Sequence, residues 1–252
     1  MEHSVGLTLV GGPTVVIEYA GQRLLTDPTF DPPGNYGNLT KLAGPALDPQ
    51  DLWPLDAVLL SHDEHDDNLD MAGRAILPQV QQVLTTPSGA QRLGRARGLE
   101  PWESTELLGG GENVTVTAVP AQHGPDDVAP HLGEVTGFVL ESPGSPTVYI
   151  SGDNSEVGVA ATVAERFPDV AIALVFAGGA GIERLGNVLL TVDAERVASI
   201  GDLWPDAAVV PVHIEDWEHF RQPRQDLIAW FADHHQEERL TLVERGERIE
   251  IP

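Results

Sequence analysis

The sequence predicts an α/β (α+β) fold, and three observations carry that expectation. The chain opens on short apolar strands separated by tight turns, the pattern of an antiparallel meander. Strand-like runs then alternate with stretches of helical pattern, as in folds that layer sheet against helix. Several strands stop abruptly at a histidine or an aspartate, and strand ends are where layered α/β folds build their sites.

The meander is read from Val5 to Val10, Thr14 to Tyr19 and Arg23 to Leu25, with Gly11-Gly12 and Ala20-Gly21 as turn signals and Asp27-Pro28 closing the third strand. Thr29 to Asp51 is rich in Pro, Gly and Asn without a clear period. A loop of that length in a compact fold is usually functional, so it is expected to act as a substrate lid. The apolar run Ala57 to Leu60 predicts a short buried strand, and a short helix follows Asn68 through Gly73, with Asp66 or Asp67 near its positive end. Val80 to Thr85 reads as a strand. Ser88 to Arg97 reads as a helix, entered at Pro87 and left at Gly98. Asn113 to Val119 alternates Val and Thr, the period of a half-buried strand. Val135 to Glu141 and Thr147 to Ile150 form a hairpin through Ser142-Pro143-Gly144-Ser145. Val157 to Phe167 fits a helix, Ala171 to Phe176 a buried strand, and Gly178 to Gly186 a glycine-rich connection that lacks the ending of a phosphate loop. Thr191 is expected to cap a helix running to about Leu203. Ala207 to Val212 is a strand, Leu227 to Phe231 a helix piece, and Leu240 to Ile251 two closing strands. Without repeats, low-complexity tracts or a linker, residues 1–252 are read as one domain.

The composition narrows the function. Fourteen basic residues face 39 acidic ones, a net charge of −25, and Lys41 is the only lysine. Such a field disfavours nucleic acid and anionic membranes, because both require cationic contacts. There is no cysteine, so disulfides, thiolate chemistry and Cys-based zinc sites are excluded, and any metal must be held by His, Asp and Glu. No apolar stretch reaches the ~18–20 residues needed to span a bilayer. The start Met1-Glu2-His3-Ser4 lacks the basic and apolar regions of a signal peptide, so a cytoplasmic location is expected.

The densest chemistry lies in His62-Asp63-Glu64-His65-Asp66-Asp67-Asn68-Leu69-Asp70, five acids and two histidines within nine residues. Such charges repel one another unless a cation sits among them, and imidazole and carboxylate at this spacing are ligands for a divalent transition metal. Three further strand ends offer the same groups: His123, Asp153 and His213. Each alone is an ordinary polar residue, but the joint pattern points to a metal site. His3, His131, His234 and His235 are assigned no such role.

The order of these groups resembles the metallo-β-lactamase superfamily over nearly the whole chain. A meander comes first, then a His-rich loop after a strand, then His123, Ser151-Gly152-Asp153 and His213. The likeness is nearest to the small cytoplasmic hydrolases that include the L-ascorbate-6-phosphate lactonase-like proteins. The resemblance implies a four-layer αβ/βα sandwich, the metallo-β-lactamase fold, with the site between the edges of two mixed sheets, and it makes Asp27 the brace of the metal loop. The family's loop is His-x-His-x-Asp-His. An ungapped match gives His62, Glu64, Asp66 and Asp67, whereas one inserted residue gives His62, His65, Asp67 and Asn68. The second register needs one substitution rather than two and is preferred, with Glu64 turned away or accepting from an imidazole. The resemblance then implies a first metal position at His62, His65 and His123, a second at Asp67 and His213, and Asp153 between them. Asn68 stands where the second position expects an imidazole, so that position is expected to be weak, or to take a harder ion.

The cofactor implied is Zn²⁺, one ion or two, with Mn²⁺ as the alternative. Such a metal lowers the pKa of bound water from ~15.7 towards ~7, which would suit hydrolysis of a small ester, lactone or phosphodiester. Asp67 would orient the nucleophile and His219 would protonate the leaving group, although a helix-surface role for His219 is an equal reading. Lys41, Arg184, Arg221 and Arg224 lie in loops that would favour an anionic small-molecule substrate, and self-association into a homo-oligomer stays open. Two rivals remain. TIM-barrel amidohydrolases place the essential Asp last, unlike Asp153 here, and a non-catalytic relative would bind one metal or none.

Overall fold

The computed structural model describes residues 4–186 and 188–252. β1 (Val5–Gly11), β2 (Thr14–Tyr19) and β3 (Gln22–Thr26) form the expected antiparallel meander. The lid segment contains a small hairpin, β4 (Gly34–Tyr36) with β5 (Leu39–Lys41). β6 (Ala57–Leu59) joins β3 in parallel, and after α1 (Met71–Ile76) come β7 (Gln82–Thr85), α2 (Pro87–Leu93) and the short β8 (Arg97–Gly98). The second half runs β9 (Ser104–Glu106), β10 (Thr115–Pro120), β11 (Thr136–Glu141), β12 (Thr147–Ile150), α3 (Val157–Arg166), β13 (Val170–Phe176), α4 (Ala194–Leu203), β14 (Ala208–Val212) and α5 (Arg224–Asp233). β15 (Arg248–Ile251) returns to pair with β1.

Two mixed sheets result. The first has the order β15-β1-β2-β3-β6-β7-β8 and the second β14-β13-β12-β11-β10-β9. Leu7, Ile17, Leu24 and Leu59 of the first meet Val116, Phe138, Leu140 and Leu174 of the second in the central core. The outer face of the second sheet, with Val139, Tyr149 and Val175, is covered by Val163, Ile200, Leu227 and Phe231 from α3, α4 and α5. Ile76 and Leu69 cover Val16, Leu25 and Val58 on the first. Strands buried on both faces need continuous apolar runs, and Val-Ala-Ile-Ala-Leu-Val-Phe in β13 is one. This is the four-layer αβ/βα arrangement. Among the described residues no helix is long and apolar enough to cross a membrane.

Four local expectations are corrected. α2 ends at Gly94, which takes a left-handed φ of 71° and donates its N–H to Ala90 O, so Arg97-Gly98 is an edge strand and not a helix end. Asp193, not Thr191, caps α4, accepting from Arg196 N at 3.0 Å, while the Thr191 hydroxyl donates to Ala177 O inside the loop. α1 starts later than Asp66 or Asp67 would allow, and the carboxylate at its N-cap is Asp70, 2.8 Å from Gly73 N. Only β15 forms from the closing segment, because residues around Leu240 and Arg245 make isolated bridges to β14 and β1.

Asp70 also fixes the hairpin. Its carboxylate accepts from the Asp31 N–H at 2.7 Å and from Lys41 Nζ at 3.1 Å, both side chains of the Lys41–Asp70 pair being buried. Lys41 lies 5.3 Å from the centre of the Trp217 ring. β5 pairs in turn with the segment around Trp217, through Glu218 N to Thr40 O and Leu42 N to Asp216 O. α1 approaches the Pro28 backbone so closely that a methyl group at Gly73 would overlap the Pro28 carbonyl. Gly73→Ala is expected to lower stability by about 1–3 kcal/mol, read as a lower urea midpoint with an unchanged m-value.

Candidate metal centre

Four strand ends and one loop deliver the polar groups to one edge of the sandwich. His62 follows β6, His123 follows β10, Asp153 follows β12 and His213 follows β14. The backbone is bent to do it: His213 has φ 57° and Asp27, just past β3, has φ 27°, conformations that side-chain-bearing residues adopt only where the surroundings enforce them. Gly152, before Asp153, has φ 57° and packs against the Thr136 carbonyl, so the turn that aims Asp153 requires glycine.

Two groups of donors result. One ligand atom each of His62, His65 and His123 lie within 4.8 Å of one another, and the same holds for Asp67, Asp153 and His213. In the first group the three ring centres are 4.7 to 5.5 Å apart. His62 Nε2 faces His65 Nδ1 at 2.8 Å, and His123 keeps its Nε2 free because its Nδ1 is 2.7 Å from Leu190 O, to which it donates. Burial holds the His62 imidazole well below its usual pKa, and His123 is lowered for the same reason, so both are neutral with lone pairs to offer. In the second group His213 Nε2 is 3.5 Å from Asp67 Oδ2 and 3.6 Å from Asp153 Oδ1. Burial alone would lower His213, but the Asp153 and Asp67 carboxylates outweigh it and raise its pKa. Burial likewise opposes ionisation of Asp67, yet the His213 and His219 imidazoles, 3.5 and 3.1 Å away, hold its carboxyl well below the usual range.

Asp153 lies between the groups, its Oδ2 3.7 Å from His123 Nε2 and its Oδ1 towards His213. Both ring nitrogens of His213 are buried with no hydrogen-bond partner. Buried carboxylates facing the buried, unpartnered nitrogens of His213 fit a cation, because a desolvated polar atom left unpaired costs free energy. The donor set, imidazole with carboxylate and no sulfur, suits zinc or a similar divalent ion.

Glu64 points away from both groups, its carboxylate 2.9 Å from Arg92 Nη2, whereas His65 points in. His219 is not a helix-surface residue. Its Nε2 is 3.1 Å from Asp67 Oδ2 at the wall of a cleft of about 220 Å³, which His65, Asp67, His123 and the Tyr36–Leu39 turn also line. Of the four cations expected to face the site, only Arg184 lines this cleft. Lys41 is buried on Asp70, Arg221 donates to the Gly186 and Val188 carbonyls, and Arg224 pairs with Glu244 at 2.5 Å. His131, His234 and His235 lie outside both groups, and His3 is outside the described residues.

Three supporting contacts were not read from the sequence. The Ser61 hydroxyl accepts from His62 Nδ1 at 2.9 Å and donates to Asp27 Oδ2 at 2.5 Å, which sets the His62 tautomer. The Leu190 carbonyl does the same for His123. Asn68 turns its amide nitrogen inward, donating to Asp27 Oδ2 at 2.9 Å and to Asp153 Oδ1 at 3.1 Å. A serine directly before the first histidine was the available signal for Ser61, while the carbonyl of an apolar residue gives none. Burial pushes the Asp27 carboxyl up to about 7 against the hydrogen bonds from Asn68 and Ser61. Ser61→Ala is expected to weaken divalent-metal affinity about ten- to a hundredfold, measured by chelator competition, with the far-ultraviolet circular dichroism unchanged.

The chain is similar to several known proteins. The chain is 22% identical over 260 residues to the UPF0173 protein YddR of Bacillus subtilis, covering 96% of this chain and 98% of that one. It is 22% identical over 208 residues to a UPF0173 metal-dependent hydrolase of Pyrococcus abyssi, covering 81% of this chain and 84% of the other. Among solved structures, isothiocyanate hydrolase from Delia radicum gut bacteria superposes with a TM-score of 0.85 at 23% identity, over 97% of this chain and 98% of that one. A family model described as a beta-lactamase superfamily domain matches residues 22–214, most of the chain, and the protein therefore belongs to the metallo-β-lactamase superfamily.

Proposed function

We propose that the protein is a metal-dependent hydrolase of a small ester, lactone or phosphodiester, and that His62, His65 and His123 hold one metal while Asp67, Asp153 and His213 offer a second position. The observation that carries this reading is the pair of buried donor groups, opening on a cleft and sharing Asp153. The names of the relatives support the reaction class; one of them, an isothiocyanate hydrolase, adds heterocumulenes to the substrates worth testing.

A divalent cation held by these residues would polarise a carbonyl or phosphoryl group and make water acidic near neutral pH. The chain's own groups then handle the protons. Asp67, held as a carboxylate, is the acceptor that orients the attacking water. His219, 3.1 Å from Asp67 and on the cleft wall, is placed to pass a proton to the leaving group. Tyr36, Leu39 and Leu132 wall the cleft and keep bulk water away from the reacting centre. Stoichiometric Zn²⁺ or Mn²⁺ is expected in the purified protein, reduced to less than half in His123→Ala and Asp153→Ala, with hydrolysis of generic lactone and phosphodiester substrates falling about a hundredfold or more. Protein that never takes up either metal would sink the proposal.

A specific observation also favours a one-metal form. The Asn68 amide donates to Asp153 and so occupies part of its capacity with N–H groups rather than offering an imidazole to a second ion. Asn68→His is therefore expected to raise the metal content towards two equivalents, measured by elemental analysis. An unchanged stoichiometry would count against this account of Asn68.

A further inference from the structure

We propose that the cleft takes a small substrate with an apolar body and a single anionic group, and that Arg184 recognises the anion. The inference rests on the hydrolase reading for its reacting end and extends it to the substrate class.

The cleft has three kinds of wall. At its floor His65, Asp67, His123 and His219 present the metal-binding edge. Tyr36, Leu39, Leu132, Ala180, Ile182 and Leu190 supply an apolar lining, the ordinary means of holding a small ligand by burial. Arg184, in the turn Glu183–Leu185, is the one cationic residue that lines it.

Arg184 is free where it lines the cleft. In a chain of net charge −25, carboxylates are plentiful, and among the described residues six of the thirteen arginines pair with one. Among the described residues Arg184 has no hydrogen bond or ion pair, although Glu183 is adjacent to it in sequence. Its platform is nevertheless anchored. Arg221 Nη2 donates to Gly186 O at 2.7 Å, Gly181 N donates to His219 O at 3.1 Å, and Leu190 N donates to Ala180 O at 2.8 Å. One arginine thus holds the loop and leaves the other available.

The other charged residues of the lining have the reverse sign. Glu64, Asp66 and Asp67 all line the cleft. A ligand carboxylate or phosphate is repelled by these carboxylates and drawn to Arg184, where a guanidinium makes charge-assisted hydrogen bonds. The signs of the lining charges therefore orient an anionic substrate, with its charged end at Arg184 and its apolar body on the apolar lining.

Two isosteric esters test this with the metal-loaded protein: phenyl hexanoate and the monophenyl ester of hexanedioic acid, which differ by a terminal carboxylate. The wild type is expected to favour the charged ester in kcat/KM by about ten- to a hundredfold, mainly through KM. That ratio should fall to near one in Arg184→Ala, survive in part in Arg184→Lys and drop below one in Arg184→Glu. A wild type without the preference, or an Arg184→Ala variant that keeps it, overturns the proposal. Turnover of neither ester counts against the hydrolase reading; calorimetric titration of the same two esters then reads the charge preference as a ratio of Kd. Binding that is absent, or equal for the two, overturns the inference on its own.

Discussion

The centre depends on one buried carboxylate. Asp27 stands just past the end of β3 and accepts from the Ser61 backbone and hydroxyl and from Asn68, so three contacts on one side chain fix the whole His62–Asp70 loop against the meander. The chain of contacts continues from Asp27 through Ser61 to His62 and through Asn68 to Asp153. Both donor groups are thereby referenced to the same point, which is how a site assembled from distant strand ends acquires a defined geometry. Burial raises the Asp27 pKa, and the N–H and O–H donors around it are what offset that cost.

The fold and the centre were legible to different degrees, for physical reasons. Strands buried on both faces announce themselves by unbroken apolar runs, as β13 does, and their ends expose whatever follows, so His123, Asp153 and His213 could be located from the runs alone. The ligand choice between Glu64 and His65 was not legible locally, because it turns on Arg92, 27 residues after His65, drawing Glu64 outward. Helix ends were misread where a short polar side chain had a stronger use elsewhere: the Thr191 hydroxyl satisfies Ala177 and Ala180, and Asp193 inherits the cap. The four cations looked equivalent in sequence and are not, since three of them serve the architecture.

The two donor groups are unequal. The first is all imidazole, with His62 and His123 each fixed by a hydrogen bond on the far nitrogen, the arrangement that prepares a ring to ligate. The second depends on His213, whose backbone sits at positive φ and whose N–H is held by Gly12 O, and on two carboxylates with other partners, Asp153 with Asn68 and Asp67 with His219. The difference lies in the neighbours rather than in the number of ligands.

Lys41 closes the structure in another sense. The chain's single ε-amine is buried against Asp70 and the Trp217 ring, where the hairpin meets the strap that carries His219. An acylating reagent aimed at lysine finds no such target on the folded surface, so lysine coupling cannot be used to tether or tag this protein without opening it. The same burial makes Lys41 a built-in reporter. The rate at which its amine is acylated by a small anhydride measures how often the hairpin lifts from the rim, without any engineered residue.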